Sequence, residues 1–357
     1  MSIDLFAPFA VANLQLRNRF MRSATYDGTA DESGAVTEGS LDLYRQLAKG
    51  NIGLIVTGHA YISRLGQAGA GQYGIYSDNL VSGLSRLTAA VHREGGKVAI
   101  QIAHAGINSN FLERQGITAL AVSASTEAQR PHREMDEEQI WTIVGEFASA
   151  ARRAADAGFD AVQLHGAHGY LMSQFLSPLT NSRKDRWGGT PENRRRFHHE
   201  VLKSVRKALP EGFPLLIKFG ARDDQEGGLL IEEGLETARQ LAAAGIDGIE
   251  VSGGIGMTSV AKGEAYFRDR AAAVRHTVSV PVMAVAGIRS LSVAQSIVDS
   301  GDADMISMGR PFIREPNLIV RWERDMRNAA CVSCSRCFAF TRHGLLLCGQ
   351  DHRIPDG

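Results

Sequence analysis

Residues 156–166 read DAGFDAVQLHG, and the phrase that opens this stretch returns as AAGIDGI at 243–249 and as SGDADMI at 300–306. In each phrase a glycine stands where a helix would end, an aspartate-containing turn follows, and an aliphatic run begins. One turn grammar used three times marks a repeated helix-to-strand junction. The runs GLIVTG, VAIQIAH, AVQLHG, LLIKFG and GIEVSG lack clean polar alternation. That is the pattern of parallel strands covered on both faces.

Working outward, eight such runs are found, at roughly 19–23, 53–58, 97–104, 161–166, 215–221, 248–253, 282–287 and 305–310. Helical spacing predicts helices between and after them, over 41–49, 78–93, 136–157, 191–209, 231–244, 266–276, 290–299 and 311–326. Thr190-Pro191-Glu192 supplies an N-cap, a first-turn proline and an acid where the helix dipole favours one. An open doubly wound sheet shows the same alternation, but eight units fit closure more naturally. The expected class is therefore α/β, a (β/α)8 TIM barrel with a short Cys-rich C-terminal extension. Two segments are expected: a barrel over 1–327 and a tail over 328–357. The longest insert, 105–133, follows the third strand, where barrel enzymes build substrate pockets.

Composition narrows the partners. The 357 residues are 44% hydrophobic, and 39 Lys plus Arg balance 39 Asp plus Glu. A formal charge of zero gives no broad attraction to nucleic acid or anionic membrane, so a small-molecule partner is expected. The opening MSIDLFAPF has no basic segment followed by an apolar one, and no apolar run approaches a membrane span. A cytoplasmic protein is expected, with homo-oligomer formation left open.

In a barrel of this kind reactive groups belong at the C-terminal ends of the strands. The fourth run ends in His165-Gly166-Ala167-His168-Gly169-Tyr170, two imidazoles and a phenol within six residues. Imidazole N–H groups can hold a carbonyl oxygen or oxyanion, and a nearby phenol can deliver a proton as charge develops. A lone histidine on an apolar strand is more often structural, whereas this cluster reads as functional. The last two strands end in Ala286-Gly287-Ile288 and Met308-Gly309-Arg310. Backbone amides there can converge on one phosphate, with Arg310 adding a fork of donors. One phosphate site and no GxGxxG strand–turn–helix unit favour FMN over a dinucleotide.

From His165 through SQFLSPLTNSRKDRWGGTPENRRRF the chain resembles the old yellow enzyme family of NADH:flavin oxidoreductases. The likeness is strongest to its bacterial branch with 2,4-dienoyl-CoA reductase and trimethylamine dehydrogenase. LRNRFMRSAT, TGHAYIS, GQYGIYSD, IQIAHAG and MGRPFI extend it from about Leu5 to Arg327. The resemblance implies that Ser23, Ala24 and Thr25 line the flavin and that Gly58 lies beside it. It also implies that Gln101 bonds the flavin pyrimidine edge, and that Lys218, where some branches have arginine, sits near N1 and the C2 carbonyl. Lys218 has no partner legible in the sequence. Tyr26 stands where some members carry a redox-tuning cysteine, so that role is not carried over. NADH or NADPH would reduce FMN, and an activated alkene would then be reduced, with His165 and His168 holding its acceptor group and Tyr170 as proton donor. Two alternatives stay open: an FMN-barrel dehydrogenase that oxidises an amine or other small substrate, and a flavin/iron–sulfur electron carrier. The charged RKDRWGGTPENRRR segment reads as a salt-bridged support rather than a phosphate site.

Every cysteine, Cys331, Cys334, Cys337 and Cys348, lies in the tail, and residues 1–330 contain none. Clustering in a large chain favours one metal centre over a disulfide framework. Four thiolates suit a [4Fe–4S] cluster or, alternatively, zinc, and free or redox-active thiols stay open as a third reading. The resembling branch holds such a cluster, with three residues rather than two between its second and third cysteines. The chain ends at Gly357, so the domains that follow the barrel in longer relatives are not expected.

Overall fold

The computed structural model describes residues 2–124, 130–256, 263–341, 344 and 346–352; parts of the third-strand insert and of the tail lie outside this set. Eight parallel strands form the barrel: β1 (Phe20–Arg22), β2 (Leu54–Val56), β3 (Val98–Ala103), β4 (Ala161–Gly166), β5 (Leu215–Gly220), β6 (Gly248–Ser252), β7 (Val282–Ala284) and β8 (Met305–Met308). Each pairs with the next, and Ser307 opposite Met21 closes β8 onto β1. The expected barrel is present. The three turn phrases act alike. Gly158, Gly245 and Gly301 take positive φ, and Asp160, Asp247 and Asp304 each accept the first backbone N–H of the preceding strand in the barrel. Those N–H groups belong to Val98, Leu215 and Val282, at 2.8, 2.8 and 2.9 Å. An otherwise unpaired donor at a strand start is thereby satisfied.

The outer face of each strand packs on the helices, and the inner face is layered. At the N-terminal end Met21, Leu54, Val56, Ala99, Ala161, Leu216, Met283 and Met305 form an apolar plug. A hairpin, Phe9–Val11 with Leu14–Leu16, closes this end by adding Val11, Leu14 and Leu16 to the plug. The sequence reading began its strands at residue 19 and missed the hairpin, whose three-residue strands are too short to show a period. Next along the barrel, the exit of β1 and strands β3, β4, β5, β6 and β8 turn Ser23, Gln101, Gln163, Lys218, Glu250 and Ser307 inward as a polar layer that leads to the mouth.

Helices α1 (Glu38–Lys49), α2 (Val81–Arg93), α3 (Glu137–Asp156), α4 (Pro191–Ala208), α5 (Ile231–Ala243), α6 (Arg268–Arg275) and α7 (Leu291–Asp299) wrap the strands. Thr190 caps α4 through Asn193, as its sequence requires. The helix expected over 311–326 is instead two, Arg310–Arg314 and Leu318–Trp322. Pro316 causes the break, since the residue before proline avoids helical geometry and Glu315 has ψ 80°. The 183–196 segment is a support, with Arg183 bonded to Val122, Met135 and Asp185, and Arg194 to Leu176, Gly189 and Glu233. No helix among the described residues is long and apolar enough to cross a membrane.

Candidate active site at the barrel mouth

The polar inner layer forms one chain of bonds across the barrel. Gln101 donates to Gln163 at 2.7 Å, and Gln163 donates to Glu250 Oε2 at 2.9 Å. Glu250 Oε1 then accepts from Ser23 and Ser307, both at 2.7 Å, and pairs with Lys218 at 3.1 Å. Lys218 also donates to Ser23 at 2.5 Å. Lys218 therefore has the partner that the sequence did not reveal. Burial alone would raise the Glu250 carboxyl, but Lys218 and the serine hydroxyls outweigh it and hold the group below its ordinary range. Such a pair is tolerated inside a protein because both carboxylate oxygens find further donors.

Above this layer stand the imidazoles. His165 ends β4, directly beside Lys218 in the sheet register, and its Nδ1 has no protein partner. His168 sits at φ 58°, a left-handed turn that aims its ring inward, with Nε2 2.7 Å from the Ser252 hydroxyl. Tyr170 stands edge-on to His165 with ring centroids 4.8 Å apart. His59, which the sequence reading passed over, lies parallel to His165 at 6.2 Å and to Tyr26 at 5.7 Å, with its other neighbour Tyr170 at 5.4 Å. Burial first, then the positive charge of Lys218, pushes His168 down to about 3. Burial does the same to His59, down to about 4, and holds His165 well below its ordinary value. Burial raises Tyr170 to about 12. The mouth is thus lined by neutral imidazoles and an un-ionised phenol.

One cavity of about 310 Å³ joins His59, His168 and Lys218 to the loops after β7 and β8, with His165 and Tyr170 behind its wall. Ser23, Ala24, Thr25, His168, Lys218, Gly287, Ile288, Gly309 and Arg310 all line it, together with His59. Ala286 and Gly287 have φ 100° and 77°, and a Cβ at Gly287 would lie 2.8 Å from the Gly263 carbonyl oxygen. Only glycine fits that turn. Gln101 and Gly58 lie behind the cavity wall rather than on it. A Cβ at Gly58 would lie 3.0 Å from the Thr25 carbonyl oxygen, so the β1 and β2 exits pack closely at this glycine.

The tail closes one side of the cavity, with Ser333, Cys337, Phe338 and Thr341 on its wall. Arg310 donates to the Ser333 carbonyl at 3.1 Å and to the Ser335 hydroxyl at 3.0 Å. Left-handed Ser333 and Ser335, φ 56° and 60°, coil the chain so that all four cysteines border one small space. The Arg336 amide holds the Cys334 thiol below its usual range, whereas burial raises Cys337. All four are free thiols. Among the described residues, no three of the Cys, His, Asp or Glu side chains form a group that could hold a metal ion, which supports neither the iron–sulfur nor the zinc expectation.

A closed barrel whose mouth joins a glycine-turn cradle to a buried cation and neutral imidazoles defines a cofactor-dependent barrel enzyme. The chain belongs to the NADH:flavin oxidoreductase / NADH oxidase family, which it matches over residues 4–328. It is 33% identical over 344 residues to a NADH oxidase of Thermoanaerobacter brockii, with 93% of this chain and 53% of that protein covered. It therefore spans about half the length of that relative. A NADPH dehydrogenase of Geobacillus is 34% identical over 318 residues, with 88% of this chain and 92% of that protein covered. Among solved structures, the old yellow enzyme homologue from Zymomonas mobilis superposes with a TM-score of 0.79 at 26% identity, covering 93% and 96% of the two chains. These findings bear out the resemblance to the old yellow enzyme family and the oxidoreductase class.

Proposed function

We propose that the protein is an FMN-dependent ene-reductase that takes hydride from NADH or NADPH and reduces a carbonyl-activated C=C bond. The observation that carries this reading is the grouping of neutral His165 and His168 with protonated Tyr170 above the Lys218–Glu250 pair. The residues fit the cofactor: a turn that admits only glycine and the Gly309–Arg310 loop share one end of the cavity, and a buried ammonium lies further in. FMN, when bound, supplies hydride transfer between the nicotinamide and the alkene β-carbon. Ser23, Ala24, Thr25, Gly287, Ile288, Gly309 and Arg310 would hold it, with Lys218 directing positive charge toward it. His165 and His168 donate to the substrate's activating oxygen, where negative charge builds during reduction. Tyr170 keeps its proton over the working pH range and delivers it to the α-carbon. Gln101 supports this floor through Gln163.

In the tail all four free thiols border one small space, and we propose Cys331, Cys334, Cys337 and Cys348 as ligands of a [4Fe–4S] cluster. The test is anaerobic purification, flavin release by denaturation, iron and zinc measurement, and stopped-flow reduction by NADH and NADPH followed by reoxidation with an enone. One FMN per chain and enone-dependent reoxidation are expected. Recovery of FAD alone, or reduction by nicotinamide with no reoxidation by any enone, overturns the reading.

A further inference from the structure

His59 is outside the set of residues given a role above, yet it is among the most firmly held groups at the mouth. Its backbone is pinned from behind: the Gly58 N–H donates to the Tyr44 hydroxyl at 2.9 Å, and that hydroxyl donates to Asp27 at 2.8 Å. Its ring is pinned from the side by Gln72, which is 2% exposed. The Gln72 amide has a fixed orientation, because its Oε1 accepts backbone N–H groups from Ala68 at 2.7 Å and Gly69 at 3.3 Å. Its NH2 is then the end that faces His59 Nδ1, at 2.7 Å. An amide NH2 only donates, so Nδ1 must accept, and a neutral ring must carry its hydrogen on Nε2. The same ring lines the cavity between Tyr26 and His165, edge-on to Tyr170.

We propose that His59 is a third imidazole donor of this site, locked by Gln72 as the Nε2–H tautomer and directed at the acceptor group of the substrate beside His165. Gln72 is the positioning residue. The assignment rests on the ene-reductase reading for the identity of the ligand, but not for the tautomer. It also bears on substrate class. A site that offers His59 in addition to His165 and His168 suits an activating carbonyl, as in an enone or an unsaturated ester, whose oxygen gains a third lone pair as it becomes the oxyanion.

The experiment uses the oxidised, flavin-loaded protein, which binds an enone without reducing it. Imidazole ¹⁵N NMR of histidine-labelled protein, assigned with His59→Ala, reads the tautomer, and 2-cyclohexen-1-one titrated against the flavin absorption band reads affinity. Wild type is expected to show a protonated Nε2 and a bare Nδ1 on His59. Gln72→Glu keeps the shape but turns the donor into an acceptor, so the proton is expected to move to Nδ1 or the ring to become charged. His59→Ala should weaken enone binding about five- to tenfold, the effect of one lost hydrogen bond, and Gln72→Glu should do the same where the ring stays neutral with its proton on Nδ1, because a charged ring would keep its Nε2–H. A bare Nε2 in wild type overturns the proposal, as does unchanged enone affinity in His59→Ala. If wild type shows the Nε2–H tautomer and binds the enone with the expected losses in the variants, yet never reduces it, the ene-reductase reading fails and the His59 assignment stands.

Discussion

Tyr170 and His165 face one another edge to face, and a phenol raised to about 12 beside an imidazole held neutral is a proton donor rather than an anion. Tyr170→Phe keeps the ring and removes the proton. The alkene half-reaction should fall by about two orders of magnitude or more, the usual contribution of a positioned acid, and much further than the nicotinamide half-reaction. Equal losses in stopped-flow traces of the two halves would remove Tyr170 from the acid role. Deeper in the barrel, Glu250 is fully buried and accepts from Ser23 and Ser307 besides pairing with Lys218. Glu250→Gln leaves the ammonium uncompensated. A loss of about 3–5 kcal/mol is expected in urea denaturation, and a change under about 1 kcal/mol would show that the pair contributes little.

At the scale of elements, the repeated Gly–Asp turn ties each helix-to-strand junction to the strand before it. Asp247 accepts the Leu215 N–H and also pairs with Arg206 of α4, so one carboxylate joins β5, β6 and a helix. Asp247→Ala should cost about 1–3 kcal/mol through the orphaned N–H, whereas Asp247→Asn, which still accepts, should cost less; thermal denaturation of both variants checks the order. The cysteine segment is an element of its own. Ser333, Cys337, Phe338 and Thr341 reach the mouth cavity, but Cys334 does not and the phosphate loops belong to the barrel, so Cys334→Ser should deplete bound iron while most FMN is retained. Full iron content in that variant would exclude Cys334 as a ligand.

Over the whole molecule, acid stability depends on histidines outside the site. His104 and His198 are fully buried and pushed by burial from 6.5 to about 3, and neither nitrogen of His198 has a partner. The unfolded chain takes up their protons below about 6.5 and the native chain does not until about 3. Stability is therefore complete above that window and is lost as pH falls through it, by up to about 1.4 kcal/mol per pH unit for each group. His198→Leu should flatten the fall in Tm between pH 7 and pH 5, as measured by calorimetry at several pH values. An unchanged slope would mean that His198 titrates normally.

What the sequence determined by itself was local. Glycine–aspartate turns and buried aliphatic runs fixed eight βα units, because turn chemistry and strand burial are written in adjacent residues. They also placed His165, His168 and Tyr170 at a strand exit and Gly287 and Gly309 in the last two loops. The tertiary structure alone decided which distant groups meet. Lys218 finds Glu250 32 residues away and Ser23 195 residues away, and Gln163 joins Gln101 through the in-register pairing of β3 with β4. The inward polar layer was hidden because strands covered on both faces show few polar residues, so each one reads as an isolated exception. His59 stayed unread for the same reason: its tautomer depends on Gln72, whose amide is oriented by two backbone N–H groups of a folded loop, and no spacing in the chain records that contact.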